Sequence, residues 1–341
     1  MYYQSLKSSN DVDRYNFVFF VEDYFSFNKI IYAEVSKRDN VKSVLGFTPK
    51  NKFMKFLFQL QHSKTTNKYF HIPFKSIWFD TYFKNDFVDQ SKPIVFIFNA
   101  RWLEYDYMRR YAVWLRKKYP NCKLVANYWD IVATWENEAK PDAIRDAFDM
   151  LVTYDKRDAE KYNMLFYPTF YAEANISRPN DKPETDVFFV GAAKNRMQKI
   201  LDAYDRLEAA GLNCFFYVLN ASGPYRQERK GILYVDNDKM LPYEECIQYI
   251  QHTKCILEIM QDGAIGETLR VWEAITYGKM LLTNNASFMT ESKFYDPNYV
   301  CMISKDGDFD TQKIKDYECK PNSLKEKILP ENFLRYIADN L

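Results

Sequence analysis

Short runs of apolar residues recur along the chain, separated by stretches whose apolar positions follow a helical period. Asn16-Phe-Val-Phe-Phe-Val21 is such a run, and Pro93–Asn99, Lys123–Asn127, Asp149–Thr153 and Met164–Tyr167 repeat it. Between them Met108, Tyr111, Ala112 and Leu115 fall at i, i+3, i+4 and i+7, the signature of one buried helix face. Runs this apolar read as strands covered on both faces, and strands alternating with helices predict a parallel sheet.

The rhythm breaks at Ala174-Asn-Ile-Ser-Arg-Pro-Asn-Asp-Lys-Pro-Glu-Thr-Asp186, which is polar, carries two prolines and has no period. It then restarts. Val187–Val190, Cys214–Leu219, Ile232–Val235, Cys255–Ile259, Met280–Thr283 and Val300–Ile303 read as strands, and Met197, Ile200, Leu201, Tyr204 and Leu207 line one helix face. Two Rossmann-like halves follow, over residues 1–178 and 179–325. A last helix within 326–341, opened by Pro330-Glu331, is expected to cross back to the first half. A length of 341 residues and 47% apolar composition are enough for two full cores.

The densest chemistry lies at Cys255–Asn284. An apolar strand leads into a glycine-bearing loop, a helix opening near Glu267, a glycine stop at Gly278 and a second strand. Backbone amides at a helix start lack intrahelical partners, so the turn Gly266-Glu267-Thr268 is a natural cradle for a phosphate. Arg270 in the first turn adds a forked cation. Glu273, three residues on, offers a carboxylate suited to two sugar hydroxyls. The plainer alternative is a surface ion pair on an ordinary strand–helix unit.

Gly266-x-Thr268-x-Arg270-x-x-Glu273-Ala274, with Gly278-Lys279 and Leu282-Thr283-Asn284-Asn285 behind it, resembles the donor signature of GT-B-fold glycosyltransferases, in particular those of bacterial capsule and lipopolysaccharide synthesis. The resemblance implies an active site in a cleft between the two halves. It implies that Glu273 holds the ribose of a nucleoside-diphosphate sugar and the helix start its diphosphate. Tyr234–Tyr243 resembles the loop lining the nucleotide base, which nominates Val235, Met240 and Tyr243. One position departs: retaining enzymes of this fold commonly carry an acid eight residues before the ribose glutamate, where this chain has Ile265.

Other candidates sit at strand ends, where α/β sheets bind ligands. Gly191-Ala-Ala-Lys194-Asn-Arg196 places two cations after the first strand of the second half, suited to a departing diphosphate. In the first half Asp130 and Glu104 are the candidate bases for an acceptor hydroxyl, with Asp155 as a cap or a further acid. Asp236-x-Asp238 and Asp306-x-Asp308-x-Asp310 are acidic pairs of the kind that hold a divalent metal in a different transferase fold. The cations already present imply a transferase needing no metal and no other cofactor. His62, His71 and His252 show no ligand or triad spacing.

Net charge of +1 and the lack of a binding motif argue against nucleic acid. Six scattered cysteines and no basic-then-apolar leader point to the cytoplasm. Residues 40–79 carry seven lysines and no Asp or Glu, with Phe53, Phe56, Leu57 and Leu60 on one helical face. That marks 50–75 as a candidate contact with an anionic membrane, which would suit a lipid-linked glycan acceptor. The alternative is a core-facing helix with a lysine-rich solvent side. Two rival functions stay open: a nucleotide-sugar epimerase, and an inactive donor-fold subunit that partners another transferase.

Overall fold

The computed structural model describes residues 11–22, 27–49, 51–63, 72–134, 137–179, 181–261 and 266–341. It divides into two compact units. One contains Ile31–Thr169 and Pro330–Leu341 with the first strand, and the other contains Phe170–Leu329. The division at Thr169–Phe170 falls ahead of the proline-bearing segment.

The first unit is built on a six-stranded, all-parallel sheet in the order β2-β1-β3-β4-β5-β6. Its strands are β1 (Asn16–Val21), β2 (Val41–Leu45), β3 (Ile94–Asn99), β4 (Lys123–Tyr128), β5 (Met150–Thr153) and β6 (Leu165–Phe166). Every residue of β1 is buried, as its unbroken apolar run requires of a strand covered on both faces. The strand β2 escapes a reading by hydrophobicity. Its Val-Lys-Ser-Val-Leu pattern belongs to a sheet edge, paired only with β1 and largely half-buried. The helix Asp106–Lys118 buries Met108, Tyr111, Ala112 and Leu115, the face its period predicts. The last helix, Pro330–Asn340, packs into this unit. Phe333 lies against Phe19 and Tyr167, and Glu331 accepts a hydrogen bond from Arg38 at 3.2 Å.

The second unit repeats the design with β7 (Thr185–Ala192), β8 (Cys214–Leu219), β9 (Ile232–Val235), β10 (Thr253–Glu258), β11 (Met280–Thr283) and β12 (Val300–Met302). All are parallel, in the order β12-β11-β10-β7-β8-β9. The order reverses beside β7, so the carboxyl ends of β7 and β10 flank a switch point. The two sheets are the two Rossmann-like halves that the strand–helix alternation predicts. Among the described residues no helix is long and apolar enough to cross a membrane.

Candidate functional site

In the second unit the loop after β7 reaches the end of β10 at that switch point. The helix Leu269–Tyr277 starts at Thr268, whose hydroxyl accepts from the Arg270 amide at 3.1 Å and donates to the Glu258 carboxylate. Glu258 ends β10 fully inside the protein and also accepts from the Thr283 hydroxyl at 2.5 Å. Burial raises its carboxyl above the usual range, against the pull of both hydroxyls and of Arg270 and Arg196. Sequence reasoning passed over Glu258. An acid closing an otherwise apolar strand was the signal, and its partners lie 10 and 25 residues away.

The motif Thr283-Asn284-Asn285 acts as a clasp. Thr283 holds Glu258, Asn284 accepts from the Met260 amide at 2.7 Å, and Asn285 donates to the Gly266 carbonyl at 2.8 Å. The end of β11 thereby pins both sides of the loop that follows β10. Ile265, the departing position, lies outside the described residues. Gly266 has φ +84°, open to glycine at little cost, and Glu267 accepts from the Ser292 hydroxyl at 2.5 Å.

Glu273 is fully buried. One carboxylate oxygen pairs with the Arg270 guanidinium, and the other accepts from the Tyr243 hydroxyl at 2.9 Å. Tyr243 in turn shares a 2.7 Å hydrogen bond with Tyr171. Burial raises the Glu273 carboxyl while Arg270 and Tyr243 lower it. Burial opposes the charge on Arg270, but the Glu273 carboxylate outweighs it and holds the guanidinium protonated. Tyr243, nominated for the base, therefore spends its hydroxyl on Glu273. Val235 closes β9 in the interior, with its carbonyl taken by the Asn220 amide at 2.8 Å, and Met240 is half-buried.

Arg196 is anchored rather than loose. Its guanidinium donates to the carbonyls of Ala192 and Ile259, bridging the ends of β7 and β10. Burial lowers its pKa, the charge on Arg270 lowers it further, and the Glu258 carboxyl raises it. Gly191 leaves room for this: a Cβ there would sit 3.0 Å from the Arg196 guanidinium and 3.2 Å from the Phe189 ring. Lys194 is exposed, with φ +44°.

Three of the five acids in these runs have partners. Asp236 pairs with Arg226, Asp308 with Arg206, and Asp310 caps the helix Thr311–Lys315. Among the described residues no three His, Cys, Asp or Glu side chains gather as a metal site. His252 is buried between the Gln248 carbonyl and the Arg178 guanidinium, a structural histidine.

In the first unit Asp130 lies exposed beyond β4, and Asp155 caps the helix Lys156–Lys161. Glu104 follows β3, half-buried and 4.0 Å from Arg101. It has company that sequence reasoning did not nominate. Glu22, directly after the neighbouring β1, has its carboxyl raised by burial, with Arg101 lowering it and Glu104 raising it further.

No known family's model matches the chain, and no curated protein matches it in sequence. Solved structures do. A glycosylation-associated protein complex (Gap123) from Streptococcus agalactiae is similar at 10% identity and TM-score 0.40, over 82% of this chain and 58% of that one. This chain thus spans less than two thirds of that relative. The lipopolysaccharide outer core galactosyltransferase WaaB in its apo form is similar at 12% identity and TM-score 0.46, over 95% and 98% of the two chains. A putative UDP-N-acetylglucosamine 2-epimerase from Listeria monocytogenes is similar at 8% identity and TM-score 0.44, over 95% and 89%.

Proposed function

We propose that the second unit binds a nucleoside-diphosphate sugar and that the protein transfers the sugar to a glycan acceptor carried on lipid, in bacterial surface polysaccharide synthesis. The observation that carries this reading is where the cations lie: Arg196 bridges the carboxyl ends of β7 and β10, and Arg270 stands in the first turn of the helix that follows β10. A guanidinium at the strand ends and another at a helix start suit a diphosphate, which would add to the Glu273 carboxylate already facing Arg270. Lys194 and the amides at Thr268 add to these cations, so charge on the departing diphosphate is stabilised without a metal. The acceptor oxygen attacks the anomeric carbon as the bond to the diphosphate breaks, and its proton passes to a carboxylate. Asp130 and Glu104 are the candidates for that base, joined by Glu22. An acceptor on a lipid carrier brings the work to the inner face of a membrane.

Glu273 favours a second reading. Both its oxygens are already engaged by Arg270 and Tyr243, so a ribose must displace or share these partners. A donor-fold subunit that binds nucleotide weakly and serves a partner transferase would tolerate this arrangement. Thermal stabilisation by UDP, GDP, TDP and CMP, each with and without magnesium, tests both. One diphosphate stabilising the protein without metal, and losing its effect in Arg196→Ala and Lys194→Ala, supports the donor site. No stabilisation by any of them refutes it. Release of diphosphate from a sugar nucleotide only when acceptor is present separates a transferase from the inactive subunit and from an epimerase.

A further inference from the structure

We infer that the helix Lys52–His62 and the turn Lys75–Trp78 form a lipid-facing patch that docks the first unit on an anionic membrane surface. The inference deepens the proposed function, on which the lipid-linked acceptor rests, but the surface itself stands on separate observations. The helix buries Phe58 and Gln61 against the core. Phe53, Phe56 and Leu60, at i, i+3 and i+7, share another face and point away from the protein, with Phe53 67% and Phe56 60% exposed. The apolar stripe that could have been a core face is therefore turned outward.

A second element extends it. Gln61 donates to the Pro73 carbonyl and accepts from the Trp78 indole at 2.6 Å, which fastens the following turn to the helix. On that turn Ile77 is exposed, and Phe74, at its start, is 75% exposed. Phe74 has φ +64°, ψ +29°, a left-handed conformation that an aromatic residue adopts only at a cost. Among the described residues nothing covers that ring, and a surface outside the protein would supply the cover.

Charge decides which surface. Exposed Lys52 and Lys55 flank the aromatic stripe, and the whole of residues 40–79 contains no acidic side chain. Protein–protein interfaces are depleted in lysine, whereas aromatic rings bordered by lysines suit the headgroup region of an anionic bilayer. Each lysine near such a surface contributes roughly fivefold to affinity.

The test is co-sedimentation of the full chain with phosphatidylcholine vesicles, with and without phosphatidylglycerol, in the absence of donor and acceptor. The wild-type protein should bind the phosphatidylglycerol vesicles at least tenfold more tightly. Phe53→Ser/Phe56→Ser and Lys52→Glu/Lys55→Glu should each lose at least tenfold of that affinity. Phe74→Gly is the sharpest variant. It relieves the backbone strain, so the protein should melt higher while vesicle binding falls; a merely structural Phe74 would give the opposite melting shift. Equal binding to both vesicles, or wild-type binding by all variants, overturns the inference. So does a wild-type dimer that Phe53→Ser/Phe56→Ser converts to monomer, because a second copy then covers the patch. Nucleotide stabilisation is measured separately, so failure of the transferase reading and failure of the membrane reading give different results.

Discussion

Replacing Glu273 by alanine should cost far more than the loss of one surface ion pair. The carboxylate is fully buried, faces the largely buried Arg270, and accepts the Tyr243 hydroxyl at 2.9 Å. Removing it strands a guanidinium inside the protein and leaves a buried hydroxyl with only Tyr171. Breaking a buried pair by deleting one partner costs about 3–5 kcal/mol. For a unit of this size 1 kcal/mol moves the melting temperature by roughly 2–4 °C, so the expected drop is about 10 °C. The assay is chemical and thermal denaturation of the wild type, Glu273→Ala, Arg270→Ala and the double variant. The double variant removes the stranded charge, so it should be at least about 1 kcal/mol more stable than the two single losses summed. A loss below about 1 kcal/mol for Glu273→Ala, or strict additivity in the cycle, would refute the claim that the pair acts as a buried unit. The result also governs how binding data are read. Failure of Glu273→Ala to bind nucleotide counts against the ribose role only once its stability loss is known.

Gly278→Ala should destabilise by more than about 2 kcal/mol in urea denaturation, because the position is left-handed at φ +62° and a Cβ would lie 2.2 Å from the Lys320 carbonyl oxygen. Thr268→Ala should cost about 1–2 kcal/mol, since it removes a helix cap and one of the partners of Glu258, while Thr268→Ser should restore most of it. Glu258 predicts a pH effect. Its folded carboxyl holds its proton above the ordinary value of 4.5, so as pH rises from there the unfolded chain has released a proton that the folded protein keeps. The stability difference between wild type and Glu258→Gln should therefore shift against the wild type as pH rises above 4.5, read from melting curves; a flat difference would count against burial as the cause.

The strands were legible because a parallel sheet covered on both faces leaves unbroken apolar runs, as in Phe17–Val21 and Cys255–Leu257. The edge strand β2 was not, because a strand with one neighbour keeps polar residues such as Lys42 and Ser43. Thr268, Arg270 and Glu273 were legible as a group because one helix carries them. Their partners were not. Tyr171 and Tyr243 are 72 residues apart, and a hydroxyl contact over that distance leaves no local pattern. Helical period likewise put Phe53, Phe56, Leu57 and Leu60 on one face, but period alone does not say which way a face looks: Leu57 packs against the core and the other three look outward.

The place of the last helix has a consequence for how the protein is made. Phe333 and Glu331 complete the first unit, yet they follow all of Phe170–Leu329 along the chain. On the ribosome the second unit can therefore close before the first, although it begins later. Until Pro330–Asn340 emerges, Phe19 and Tyr167 lack the ring that covers them, and the first sheet waits with an apolar face open. Loss of Pro330–Asn340 would therefore harm the first unit, whose strands come earlier in the sequence, rather than the second.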